Sequence, residues 1–203
     1  MKTTIWLLLV LFIFTSCSTS KVIPSQWVSE NFQNQKFDSI LVYASTEDRT
    51  LQKEFEDMMA IALVKEGITP LKMHEVFPEI AYKDNHSQEE INQFVLECKG
   101  KNINKVLLAS QKSISVDTMV AKSLRNYMNS LEPLKLGSTS VDNLEYDKKE
   151  LTTYTLEAVV YDIAVTSEDK PIASTTLKAT NPKSPKRLKK KFLNSIVSLF
   201  KRN

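Results

Sequence analysis

Two histidines, two cysteines and 24 acidic residues are the side chains that could carry chemistry in this 203-residue chain. His74 and His86 are twelve positions apart, and neither stands at ligand spacing from another His or Cys. Zinc sites draw on three or four such ligands, so both read as structural or surface histidines and no metal or other cofactor is expected. Cys98 falls on the apolar stripe Ile91, Phe94, Val95, Cys98, where a thiol behaves as a small inert core group. Glu54, Glu56 and Asp57 read as a solvated helix face rather than a carboxylate dyad, since residues two apart do not face one another on a helix. The chain has no G-x-S-x-G elbow, no phosphate-binding loop and no dinucleotide fingerprint, and its three glycines leave no Gly-rich cradle. The expectation is a protein that is not an enzyme.

The elements that must hold these residues follow from periodicity. Ile40 to Ala44 is apolar on both parities, as in a strand covered on both faces. Ser45 opens an S-x-x-D pattern ending at Asp48. Leu51, Phe55, Met58, Met59, Ala62 and Leu63 then recur at helical spacing, and Gly67 supplies a stop. Ile68 to Met73 is a second short strand. Ser87 to Glu90 is a capping box that opens a second helix closed by Gly100. Ile103 to Ala109 is a third strand, and the alternation Ile114, Val116, Thr118, Val120 a fourth. Thr152 to Val165 and Ile172 to Lys178, joined by a turn at 167–170, form an antiparallel hairpin. Ser184-Pro185 starts a terminal helix with a broad apolar face. The expected fold is α/β (α+β): a single domain with a mixed β-sheet in the order β-α-β-α-β-β-β-β-α and the C-terminal helix packed on the sheet. Residues 121–150 read as a long loop within it, and loops of that length are functional or disordered.

The N-terminus reads as an address. Lys2 precedes an unbroken ten-residue apolar run, Ile5 to Phe14, about 15 Å long as a helix and so only half a bilayer core. That suits the hydrophobic region of an export signal rather than a membrane span. Phe14-Thr15-Ser16-Cys17 resembles the processing site of bacterial lipoproteins, although the commonest form has Leu three residues before the cysteine and Gly or Ala directly before it. The resemblance implies cleavage after residue 16 and lipid on Cys17. Two or three acyl chains anchor a protein stably. Ser18, where a retention signal would have Asp, implies the outer membrane by resemblance to the enteric sorting rule. Residues 17–35 then form a lipidated tether with a short docked segment around Trp27 and Phe32, and 36–203 the domain.

The chain carries a formal net charge of +3, concentrated at the C-terminus. Lys183, Lys186, Arg187, Lys189, Lys190, Lys191, Lys201 and Arg202 occur there without an acid. They read first as the basic polar face of a sheet-packing helix, and second as a contact for anionic lipid or an acidic partner. Nucleic acid is not expected outside the cytoplasm.

Three local patterns carry a further resemblance: Arg49 ahead of Phe55-Glu56-Asp57, Val76-Phe77-Pro78 after the second strand, and Asn181-Pro182-Lys183-Ser184 before the last helix. With the element order over residues 37–203, they resemble small envelope lipoproteins of the curli-secretion type, the activators of penicillin-binding proteins and the N-terminal domain of the Tol translocation protein. The resemblance implies a binding or scaffold protein without a catalytic set. It departs from the curli-type channel in that no pair of amphipathic ten-residue strands suited to a membrane barrel stands outside 112–165.

The expectation is therefore a lipid-anchored, periplasm-facing adaptor that binds another envelope component. A self-assembling lipoprotein complex and, behind it, a cell-wall hydrolase are the alternatives. In open α/β sheets ligands gather at the carboxyl ends of the parallel strands. Those ends carry Thr46, Asp48 and Arg49 after the first strand, and His74 and Glu75 after the second. Arg125 and Tyr127 in the long loop are residue types enriched among interface hot spots.

Overall fold

The computed structural model describes residues 21–34, 37–80, 82–83, 85–121, 147–164 and 171–201. Its elements are β1 (Lys21–Val28), α1 (Glu30–Asn34), β2 (Ser39–Ala44), α2 (Arg49–Lys65), β3 (Thr69–Lys72), α3 (Met73–Val76), α4 (Gln88–Gly100), β4 (Lys105–Ala121), β5 (Asp147–Asp162), β6 (Pro171–Thr180) and α5 (Pro185–Phe200). Six strands form one sheet in the order β1-β6-β5-β4-β2-β3.

Ile40, Leu41 and Val42 admit no water on either side, and β2 accordingly lies inside the sheet, parallel to both β3 and β4. Its alternate residues feed two cores. Ile40 and Val42 join α2 and α5 on one face, while Leu41 joins Met73, Phe77 and Cys98 on the other. The remaining pairings are antiparallel, so the sheet is mixed, with the C-terminal helix packed on it as expected. Both edge strands carry a proline, Pro24 in β1 and Pro70 in β3. Proline cannot donate to a ladder and is tolerated at an edge.

Helix ends follow local chemistry. Asp48, not Ser45, caps α2: its side chain accepts from Thr50 N and Leu51 N. Ser45 is still in the sheet ladder, its N–H donating to Ala109 O at 2.8 Å. Gly67 takes φ +77° just past α2, the left-handed geometry that glycine adopts without strain. The expected stop at Gly100 moves on by two residues. Gly100 is the last residue of α4, and Asn102 takes the left-handed position at φ 58°. The Ser87–Glu90 capping box is present in both directions.

Three stretches differ from the sequence reading. The expected third and fourth strands are one continuous strand, β4, because a bulge between Gln111 and Ser113 bends the ladder without ending it. β4 and β5 extend into both ends of the expected 121–150 loop, reaching Ala121 and Asp147. The expected tether carries β1 and α1. Alternation there is weak because β1 is an edge strand with one wet face. It is held by β6 and by Phe32, whose ring packs 4.7 Å from Phe37 and 5.5 Å from Phe200 at the end of α5. Trp27, expected at the centre of the docked segment, is half-exposed. The turn expected at 167–170 lies outside the described residues.

Candidate functional site

The carboxyl ends of β2 and β3 open beside the first turns of α2, and the side chains there form one continuous polar chain. It starts at Arg49, whose Nη2 donates to Ile80 O at 3.0 Å and whose Nη1 donates to Gln52 Oε1 at 3.2 Å. Gln52 Nε2 donates to Glu56 Oε1 at 3.0 Å. Glu56 is 0% exposed, yet all its acceptor capacity is used. Oε1 also accepts from Ala44 N at 3.1 Å, and Oε2 accepts from His74 N at 3.0 Å and lies 2.6 Å from His74 Nδ1. Three N–H groups thus donate to this carboxyl group, and the His74 ring makes the fourth contact, so both of its oxygens are hydrogen-bonded.

Beyond His74 the chain becomes an ion cluster at the surface. Lys72 Nζ sits 2.8 Å from Asp57 Oδ1 and 2.5 Å from Glu75 Oε1. His74 Nε2 is 3.9 Å from each of the same two oxygens, beyond hydrogen-bond range. Among the described residues it is the one buried side-chain nitrogen or oxygen without a hydrogen-bond partner. The Lys72 hydrogen bond holds the Asp57 carboxyl below the usual range. The Asp57 hydrogen bond, then that of Glu75, raises the Lys72 ammonium. Tyr43, on β2 beside this network, has its phenol pushed up mainly by burial, with the Ser45 hydrogen bond opposing.

Of the residues that sequence placed at this edge, His74 and Glu75 come together in the cluster and Arg49 joins them through Gln52 and Glu56. Thr46 and Asp48 stand apart as turn and cap, with Thr46 Oγ1 accepting from Asp48 N at 3.3 Å. His86 is exposed, 4.0 Å from Glu90. Arg125 and Tyr127 lie outside the described residues, as does Cys17. Gln52, Glu56, Asp57 and Lys72 are site residues that the sequence reading missed, and Glu56 is the opposite of a solvated face. One signal pointed to it: Gln52, Phe55, Glu56, Met59 and Leu63 share the buried stripe of α2, so two polar residues occupy core phases.

The basic residues of α5 fall on its outer face. Lys186, Arg187, Lys190 and Lys191 are exposed, while Lys189 reaches across to Glu54 of α2 at 2.7 Å. A groove of about 530 Å³ opens between α5 and β1, lined by Val22, Pro24, Gln26, Lys191, Asn194 and Ser198. It lies away from the polar chain, and among the described residues Lys191 is its one ionisable side chain. Cys98 is a buried free thiol, pushed by burial up to about 12. Among the described residues no helix is long and apolar enough to cross a membrane.

The architecture is a mixed-sheet α+β domain. The sequence matches no protein-family profile and no curated protein. Solved structures with a similar course of chain include the PelC dodecamer from Paraburkholderia phytofirmans, at 10% identity and a TM-score of 0.46 over 90% of this chain and 99% of that one. The lipoprotein GNA1162 from Neisseria meningitidis is similar at 13% identity and a TM-score of 0.39, over 79% of this chain and 96% of that one. A minor lipoprotein from Acinetobacter baumannii is similar at 9% identity and a TM-score of 0.27, over 79% of this chain and 83% of that one. No residue role is carried over from them.

Proposed function

We propose that this chain is a lipid-anchored binding protein of the bacterial cell envelope, without catalytic activity of its own, that presents its domain to another envelope component. The single observation that carries this reading is the N-terminal sequence, an apolar run of export-signal length ending in Thr15-Ser16-Cys17. The start of the domain adds a constraint. β1 begins at Lys21, so four peptide steps separate it from Cys17, about 14 Å at full extension. A lipid on Cys17 would hold the sheet against the bilayer. Lys21 pairs with Thr180, Thr180 with Thr153, and Thr153 with Ser115. Past that row β4 and β5 continue as a two-stranded extension, at the same end of the sheet as the start of β1. On this reading the extension faces the membrane and the remaining surface faces the periplasm, at the outer membrane if Ser18 acts as in the enteric rule.

Ile114 and Val116 favour a second reading, self-association. Both lie beyond the bulge, Ile114 just before the extension and Val116 on it, and they are 52% and 59% exposed. They continue the face that α5 covers further along the sheet.

Metabolic labelling with a fatty acid and intact mass should place two or three acyl chains on Cys17, and Cys17→Ser should move the protein from the membrane to the soluble fraction. A Cys17→Ser chain that stays membrane-bound overturns the anchor. Crosslinking in native cells followed by purification separates the readings. One stoichiometric envelope protein supports the adaptor, and crosslinked copies of this chain support self-assembly. If Arg125→Ala with Tyr127→Ala leaves affinity for that partner unchanged, the loop is not the contact.

A further inference from the structure

We propose that Asp57, His74 and Glu75 form a binding site for a divalent first-row transition-metal ion of the zinc class, at which the Lys72 ammonium is the charge that the ion displaces. The site draws on α2 and on the turn after β3, which is why spacing along the sequence does not display it. One ligand atom from each of the three residues lies within 4.8 Å of the other two.

His74 is prepared as a ligand. Its Nδ1 is held 2.6 Å from Glu56 Oε2, and Glu56 is itself fixed by three other donors. A buried carboxylate on the far nitrogen of an imidazole is the usual support of a metal-bound histidine, since it fixes the tautomer and the ring plane and makes the other nitrogen more basic. That other nitrogen, Nε2, is buried and has no hydrogen-bond partner among the described residues. It stands 3.9 Å from both Asp57 Oδ1 and Glu75 Oε1. Ligands bonded to zinc at about 2.1 Å in a tetrahedron stand about 3.4 Å apart, so Nε2 has about half an ångström to close towards each oxygen, and the two oxygens lie within 4.8 Å of each other. The rim is open: the Asp57 and Glu75 side chains are 39% and 57% exposed.

Lys72 shows that the position already selects a cation, because its ammonium bridges the same two oxygens. A lysine ammonium is a point charge on a flexible stem and can withdraw to solvent, whereas an ion that also engages Nε2 gains a bond that Lys72 does not make. One imidazole and two carboxylates suit zinc or manganese, and the acidic pair without the histidine would suit neither selectively.

The test is calorimetric titration of Zn²⁺ into the metal-stripped, full-length protein in detergent, with Co²⁺ absorption reporting coordination. One equivalent should bind. Lys72→Met should tighten binding at least tenfold. Asp57→Asn and Glu75→Gln should each weaken it more than tenfold, and these rim substitutions leave the contacts of Glu56 in place. His86→Ala should change nothing. The proposal is overturned if neither the wild type nor Lys72→Met binds Zn²⁺, if Lys72→Met binds no more tightly than wild type, if binding survives Asp57→Asn combined with Glu75→Gln, or if it disappears with His86→Ala.

Discussion

Glu56 Oε2 lies 2.6 Å from His74 Nδ1 and 3.0 Å from His74 N, so one carboxylate oxygen holds both the ring and the backbone of the turn that follows β3. The other oxygen holds the end of β2 through Ala44 N. α2 is thereby joined to two parallel strands at the edge where the candidate site lies.

A carboxyl group buried this deeply is tolerated only because both its oxygens are hydrogen-bonded. Glu56→Ala leaves the Ala44 and His74 N–H groups without an acceptor and should cost about 1–3 kcal/mol for each of them. Glu56→Gln keeps the shape but turns an amide N–H₂ towards donors, and should cost about 1–3 kcal/mol. Urea denaturation measures both. A Glu56→Ala protein within 1 kcal/mol of wild type would show that the network is not structural.

Acid should weaken the start of α4. The Lys83 hydrogen bond, followed by the Ser87 backbone N–H, lowers the Glu90 carboxyl from 4.5 to about 2. A carboxyl depressed in the folded state stabilises above its unfolded value and loses that effect as pH falls through the folded one. Wild type should therefore melt higher than Glu90→Gln at pH 6, and the gap should shrink between pH 4.5 and 2. Melting curves at half-unit pH intervals test this, and a constant gap refutes it.

Alkali acts on Cys98 with the opposite sign. Burial raises its thiol from 9.0 to about 12. The folded state thus favours the neutral thiol, and the stabilisation is complete below pH 9 and fades as pH climbs towards 12. In the native protein at pH 8 an alkylating reagent should leave Cys98 unmodified for hours, and in urea it should react within minutes. Against Cys98→Ala, wild type should lose stability faster above pH 9.

α5 separates packing from charge. Phe192 is buried with its ring 5.9 Å from that of Phe55. Phe192→Ala should cost about 3–5 kcal/mol by leaving a cavity between α5 and α2. Neutralising the exposed Lys186, Arg187, Lys190 and Lys191 with Gln should change stability by less than about 0.5 kcal/mol each. If the same four changes abolish binding to vesicles containing anionic lipid, the basic face is a membrane contact.

What the sequence made legible was whatever a local period or cap could announce. β2, the Ser87 capping box and the stripe of α5 are local patterns, and each stands where periodicity placed it. Three things depended on distant segments. β1 is an edge strand whose partner, β6, is about 150 residues away, so its own residues look like a tether. β4 is read as two strands because Lys112 at the bulge breaks the alternation, although the ladder to β5 continues across it. At the site, His74, Glu75 and Arg49 were legible as strand-end residues. Glu56 and Asp57 were discounted because neighbours on one helix do not face each other. The partner they face is His74, brought in by the crossover from α2 to β3.

The two edge prolines have a consequence for how copies of this chain can meet. An open sheet edge invites backbone-to-backbone zippering into continuous ribbons. Pro24 and Pro70 each remove one of the amides such a ribbon would need, on opposite flanks of the sheet. Contacts between neighbours must then be made by side chains, on helix faces or on the β4–β5 extension. Such contacts are selective and can come apart again.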